Sequence, residues 1–363
     1  MKIVYFVTRS DTVGGAQIHV RDLALAMGDA GHEVLVIVGG RGVYYDMLNS
    51  LGISVKSLGS LERDINVLKD LKVIFEYRKV IAHFKPDIIS MHSAKAGMLG
   101  RLASIFDFKT KKIFTAHGWS HIRTATRKKQ LFFCLVEFIL QFFTDIIVTV
   151  CREDEFFAYQ NLKIRKSKLI TIHNAMPDIA HRKSDTLHSN LRFITVARFQ
   201  EPKDYMTLIT AFSKINNTNW SLEIIGDGPD FDMIYNKAKE YNLLDNINFL
   251  GRRDNVSELL SDADVFLLIS NSEGFPRSIL EAMRGALPVI ATNVGGVKES
   301  VIDKANGFVV PPGNVEELSS KIELLIANRQ LVENMSIKSR ELYEQNFTFS
   351  KMFNKTINLY KEG

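Results

Sequence analysis

Cysteine is nearly absent from this chain of 363 residues: only Cys134 and Cys151 occur. Neither has a partner at metal-ligand spacing, which excludes a disulfide scaffold and a thiolate metal site. Both read as buried free thiols of a reducing compartment. No run of about 18 uncharged apolar residues exists, so no membrane-spanning helix is predicted. The opening MKIVYFVTRS reads as a short strand rather than a signal peptide, and the expected location is the cytoplasm. Short-period repeats and low-complexity tracts are missing. The dinucleotide fingerprint G-x-G-x-x-G is missing too, both at Gly14-Gly15 and around GDGPDF.

What is present is ordinary globular material. Hydrophobic residues make up 46% and charged residues 24%, and the length suits two domains at about 100–200 residues each. The net charge of +5 conceals an asymmetry. Residues 1–185 carry 27 Lys+Arg against 18 Asp+Glu, whereas residues 186–363 carry 19 against 23. A basic first half points to an anionic partner: on charge alone, nucleic acid, a membrane surface or an anionic lipid. No recognised nucleic-acid-binding module accompanies the charge, so nucleic acid is not expected.

Short β-branched runs alternate with helical-length segments along the whole chain. KIVYFV, EVLVIVG, DIISMH, KIFTAH, DIIVTV and LITIHN read as strands of a first half. RFITVARF, SLEIIGDG, NINFLG, VFLLIS, PVIAT and GFVVPP read as strands of a second. Segments 16–30, 65–83, 205–216 and 278–285 have helical spacing. The strands are continuously apolar, as in parallel sheets covered on both faces. The rhythm breaks once, at the polar stretch DIAHRKSDTLHSN (178–190). The expected fold is α/β, with two Rossmann-like doubly wound domains facing a cleft, 1–183 and 184–345. Ligands of such sheets sit beyond the carboxyl ends of the strands.

The residues just after each strand are therefore the candidates. Gly14-Gly15 open a helix and let backbone approach an anion. His117, followed by Gly118, ends KIFTA and is placed to reach into a cleft. Arg198 and Lys203 in ARFQEPKD suit a diphosphate, one as a fork and one as a point charge. In SEGFPRSILEAM, Glu273 lies in a loop before a helix and Glu281 lies inside it. Between them the helix start offers free N–H groups and a positive dipole end. Two carboxylates that grip hydroxyls, with a phosphate site between, match the order sugar, diphosphate, ribose. Each feature also has an ordinary reading: a tight turn, a packing histidine, a solvated loop, a local cap.

With EGFPRSILEAM the chain resembles the E-x7-E motif of retaining glycosyltransferases, specifically glycosyltransferase family 4 with the GT-B fold. GGAQIHV, TAHGW, ARFQEPKD, IIGDGP, FLGRRDNVSELLSDADVFLLIS and PVIATNVGGVKESV extend the likeness over essentially the whole chain. The resemblance implies that Arg198 and Lys203 bind the donor diphosphate and that Glu281 holds the ribose. It places Glu273 on the donor sugar, helped by backbone N–H groups near Gly274 and Phe275. Gly15 would lie against phosphates or acceptor, His117 beside the reacting sugar, and Arg252 near the base pocket. The last segment, 346–363, would return to the first domain. One local departure is Ala197, where the family commonly has Gly; Ala is small enough to leave the function expected.

The implied reaction moves a hexosyl or N-acetylhexosaminyl group from a nucleotide diphosphate sugar, with UDP as the expected nucleotide, to an acceptor hydroxyl with retention. The acceptor expected from SAKAGMLGRLA and TAHGW is a lipid-linked saccharide of capsule, O-antigen or exopolysaccharide assembly. No metal or cofactor is expected, since Arg198, Lys203 and a helix start offset the leaving charge; the Asp-x-Asp in SDADVF precedes a strand and reads as structural. Residues 123–143, RTATRKKQLFFCLVEFILQFF, read either as a helix docking on an anionic membrane leaflet or as a core helix under a basic loop. Docking would make the protein peripheral on the inner face of the plasma membrane. A catalytically silent nucleotide-sugar-binding subunit and a sugar-nucleotide epimerase are the competing readings.

Overall fold

The continuous apolar runs form two separate parallel sheets. The structure, a computed structural model, describes residues 1–179 and 190–362. The first sheet contains β1 (Lys2–Arg9), β2 (Glu33–Gly39), β3 (Ser54–Leu58), β4 (Ile88–His92), β5 (Lys111–Ala116), β6 (Ile146–Thr149) and β7 (Leu169–Thr171). Their order is β3-β2-β1-β4-β5-β6-β7, so the order reverses between β1 and β4. The second contains β8 (Leu191–Val196), β9 (Trp220–Ile225), β10 (Ile247–Gly251), β11 (Val265–Leu268), β12 (Val289–Thr292) and β13 (Gly307–Val310). Here the order is β10-β9-β8-β11-β12-β13, and it reverses between β8 and β11. Those two reversals are the points where a doubly wound sheet opens a crevice for ligand.

Each sheet has its own core. Val4, Phe6, Ile89, Met91, Phe114 and Ile147 lead the first. Phe193, Leu222, Ile224, Val265, Leu267 and Ile290 lead the second. The side chains are buried because helices such as Gly15–Asp29, Ala94–Ala103, Tyr205–Ser213 and Val315–Ala327 follow the strands. Strand β3 has no counterpart among the expected runs. It is an edge strand, bonded to β2 alone, and its burial alternates.

The chain divides into two compact units, Met1–His173 with Phe353–Gly363, and Asn174–Met352. The boundary expected at 183/184 lies outside the described residues. The second unit starts earlier because 174–178 is bonded to 340–349. Met176 N–H donates to the Phe347 carbonyl at 3.3 Å, and Phe349 N–H donates to the Met176 carbonyl at 3.0 Å. Tyr343 Oη donates to that same Met176 carbonyl at 2.9 Å, and Arg340 forks onto Asp178 at 2.8 and 2.9 Å. The terminal helix Phe349–Lys361 begins in the second unit, and from Phe353 onward it belongs to the first.

Candidate active site

In the second unit the structure assembles a charged cluster at the β8/β11 reversal. Lys203 follows β8 and Glu273 follows β11. Their side chains form an ion pair, 18% and 13% exposed. Backbone bonds hold the two loops together: Asp204 N–H donates to the Ile269 carbonyl at 2.9 Å, and Asn271 N–H to the Pro202 carbonyl at 2.7 Å. Arg198 extends into solvent from the start of the same loop. The loop after β9 packs beneath it because Gly226 sits at φ 153, and a Cβ there would lie 1.9 Å from the Ala197 carbonyl. Phe199 N–H donates to Asp227 O at 2.8 Å, fixing the direction in which Arg198 leaves the sheet.

Glu273 is positioned from the other side by the loop after β12. Gly295 has φ 53, and any Cβ would stand 2.1 Å from the Glu273 carbonyl. Gly296 N–H donates to the Gly274 carbonyl at 2.7 Å. A left-handed glycine is what allows two backbones to run this close. Phe275 is buried, its ring 5.5 Å from that of Phe347, and its carbonyl accepts from Asn174 Nδ2 at 2.8 Å. The helix Arg277–Arg284 follows, with Pro276 as its N-cap. Glu281 is half-buried at its fifth position, and Arg252 is exposed just after β10.

Gly15 and His117 belong to the other unit. Gly15 is the exposed first residue of the helix Gly15–Asp29. His117 leaves β5 ahead of Gly118, at φ 134, and meets two histidines that sequence reasoning missed. His92 ends β4 and its Nδ1 lies 3.0 Å from His117 Nε2; its own Nε2 lies 3.0 Å from Ser90 Oγ. His19 packs edge-on, 5.0 Å from His117 between ring centroids. Burial, with His117 beside it, holds His92 well below the ordinary histidine pKa, so it is a neutral hydrogen-bonding partner. A signal existed: DIISMH and KIFTAH both end in His on neighbouring strands. The three donor atoms lie within 4.8 Å of one another. A borderline metal ion could be held there only at the expense of the His92–His117 hydrogen bond.

Several other expectations are now placed. Asp264 of SDADVF is structural: it accepts from Arg192 N–H at 2.9 Å and pairs with Arg329 at 3.3 Å. Cys151 is buried, but Cys134 is half-buried, since it sits on the flank of the helix Arg127–Leu140. In that helix Glu137 is buried and Gln141 just beyond it is buried too. The outward side chains are Leu131, Phe132, Leu135, Phe138 and Ile139, followed by Phe142. Arg123 does not join the exposed basic group: it forks onto Glu153 at 2.7 Å and Asp154 at 2.8 Å. Arg127, Lys128 and Lys129 are exposed. No helix among the described residues is long and apolar enough to cross a membrane.

Two crevices in doubly wound sheets, a paired lysine and glutamate at one and a histidine group beside the other, define a class of enzyme. The Glycosyltransferase Family 4 model matches residues 13–178 and the Glycosyl transferases group 1 model residues 178–342. The chain belongs to this family of glycosyltransferases, and its sheets are those of the GT-B fold. It is 29% identical to the O-antigen biosynthesis glycosyltransferase WbnH of Escherichia coli, over 93% of this chain and 94% of that one. It is 25% identical to the UDP-Gal:alpha-D-GlcNAc-diphosphoundecaprenol alpha-1,3-galactosyltransferase of Escherichia coli, over 83% and 82%. The crystal structure of Anabaena Alr3699/HepE in complex with UDP superposes with a TM-score of 0.88 at 20% identity, covering all of both chains.

Proposed function

We propose that the protein is a retaining transferase that moves a hexosyl or N-acetylhexosaminyl group from a UDP-sugar to a lipid-linked saccharide in surface polysaccharide assembly. The observation that carries this reading is the Lys203–Glu273 pair at the β8/β11 reversal, with Arg198 exposed beside it. Without ligand the two charges satisfy each other. A nucleoside diphosphate sugar offers Lys203 and Arg198 phosphate oxygens and offers Glu273 hydroxyls, so both groups exchange one partner for another. Glu281, in the helix that follows, holds the ribose in this reading. Backbone N–H groups near Gly274 and Phe275 assist Glu273 at the donor sugar, and Lys203, Arg198 and the helix start offset the leaving charge. Preset groups of this kind stabilise a leaving diphosphate without reorganising. His117, held by neutral His92, stands in the role of a contact to the reacting sugar. The reaction in this reading needs no metal, so a chelator leaves the rate unchanged.

The inverted helix Arg127–Leu140 supports a second element of the reading: the protein docks on an anionic membrane surface, where a lipid-linked acceptor resides. The diphosphoundecaprenol-linked substrate named for the galactosyltransferase relative is in keeping with it.

Calorimetric titration with UDP, GDP and ADP tests the donor site. UDP binds wild type, and Lys203→Ala weakens it by about 10–100-fold, the value of one or two charge-assisted hydrogen bonds at about 1.5–3 kcal/mol. Equal UDP affinity in the variant would remove Lys203 from the site. Turnover of a lone nucleotide sugar into its epimer would overturn transfer itself.

A further inference from the structure

Three histidines from three elements meet in the first unit beside the β1/β4 reversal. His92 ends β4, His117 directly follows Ala116 at the end of β5, and His19 is the fifth residue of the helix Gly15–Asp29. Strand pairing sets two of them. His92 lies opposite Val7 of β1 on one side and opposite Thr115, two positions before His117, on the other. The ring centroids stand 5.2 Å apart for His92 and His117, 5.0 Å for His19 and His117, and 5.6 Å for His19 and His92. The triangle is nearly equilateral, and its size matches a metal centre. With Zn–N bonds of about 2.0–2.1 Å, imidazoles set tetrahedrally around one ion have their centroids about 5 Å apart. One nitrogen of each ring already lies within 4.8 Å of the other two.

The surroundings fit as well. A ligand histidine is commonly held through its other ring nitrogen. His92 has that arrangement: Nε2 lies 3.0 Å from the Oγ of buried Ser90, which turns Nδ1 towards the group. His19 and His92 are buried and His117 is half-buried, so an ion enters from the His117 side. The donors are all nitrogen. Mg²⁺ and Ca²⁺ take oxygen, whereas three histidines with an open fourth position are a set that Zn²⁺ occupies. What is given up is the His92 Nδ1–His117 Nε2 hydrogen bond of 3.0 Å. The proton shared there shifts to the other nitrogen of its ring, and both lone pairs turn to the ion.

We propose that His19, His92 and His117 form a Zn²⁺ site that switches the enzyme off: the metal-free chain is the active form, and a bound ion takes the His117 nitrogen away from the sugar. Binding stands on the histidine geometry alone. The loss of activity rests on the placing of His117 at the reacting sugar, as argued above.

The test titrates the untagged full chain, stripped with EDTA and dialysed, with Zn²⁺ in a calorimeter. Wild type takes up a single Zn²⁺ and does not respond to Mg²⁺. His19→Ala and His92→Ala each weaken Zn²⁺ at least tenfold, while His83→Ala, on the exposed side of the helix Val67–Phe84, leaves it unchanged. Ser90→Ala keeps all three ligands and weakens it by about 10–100-fold. Undiminished binding in the two histidine variants would overturn the site. Should a variant misfold, Co²⁺ on wild type decides: the intense visible bands of a four-coordinate ion support the site, and the pale spectrum of a six-coordinate one refutes it. Transfer assays read the second half. Zn²⁺ slows wild type and EDTA restores it, whereas His19→Ala keeps a larger fraction of its own rate at the same Zn²⁺ concentration. Binding that leaves the wild-type rate untouched sinks the switch. His117→Ala transferring as fast as wild type would instead sink the placing of His117 at the sugar, while wild-type Zn²⁺ binding still stands.

Discussion

Arg101 is completely buried, and its guanidinium carries three obligations at once. It forks onto Glu137, donates Nε–H to the Gly97 carbonyl at 2.8 Å, and lies 4.2 Å from the centre of the Phe114 ring. Removing one partner of such a pair leaves a bare buried charge and costs about 3–5 kcal/mol, whereas replacing both by apolar groups is often neutral. Glu137→Leu is therefore expected to lower stability by that amount in urea melts, and Arg101→Met with Glu137→Leu to recover most of it. Asp154 makes the opposite kind of statement. It is fully buried, and its carboxyl is pushed up to about 6, burial outweighing Arg123. The folded chain then holds this proton more tightly than the unfolded one. The penalty for ionising Asp154 is present above about 6 and fades as pH falls towards the ordinary carboxylate range. Melting temperature measured against pH will show wild type gaining on Asp154→Asn as pH drops from neutral through that window. A constant difference would refute the shift. At this scale the sequence exposed Lys203, Glu273 and His117, since each follows a strand within a motif. His92 ends its run just as His117 does, but only the pairing of β4 with β5 brings the two together, and His19 lies inside a helix that carries no local mark of either.

Elements were legible where their burial is uniform. Twelve apolar runs read as strands, and each contains a strand; those in the sheet interiors, such as Ile88–His92 and Val265–Leu268, are apolar throughout or nearly so because both faces are covered. Ser54–Leu58 escaped because only one edge and one face of it are covered. The helix Arg127–Leu140 was legible in position and open in purpose. Glu137 and Gln141 do lie on one face, and the structure shows that this polar face is the buried one. Six large apolar side chains from Leu131 to Phe142 are left outward, and each is worth about 1.5–3 kcal/mol on burial. Cosedimentation with phosphatidylglycerol vesicles should be strong at low salt and much weaker at high salt. Leu135→Asp with Phe138→Asp should reduce it at every salt concentration. Equal recovery on neutral vesicles would leave Arg127, Lys128 and Lys129 without a part in it.

Over the whole molecule the chain is not collinear with its units. The polar break at 178–190 marked a change of domain, but the bonds that decide membership are long-range ones that no local pattern records. Met176 and Asp178 are tied to Tyr343, Phe347 and Arg340, more than 160 positions away. The last helix closes the first unit in the same way. Leu359 and Tyr360 are both 4% exposed. The Leu359 carbonyl accepts from Lys111 Nζ at 2.6 Å, and burial beside Ser90 and Tyr5 pushes the Tyr360 hydroxyl up from its ordinary pKa. Ser90 in turn touches His92, so the terminal helix stands behind the histidine group. A chain ending at Met352 should keep a folded second unit that binds UDP as before. Its first unit loses the burial of Leu359 alone at about 1.5–3 kcal/mol, and with Tyr360 more. Differential scanning calorimetry with and without UDP distinguishes the two. The UDP-responsive transition stays where it was and the other moves down. A single transition lowered as a whole would mean that the units melt together and that the terminal helix supports both.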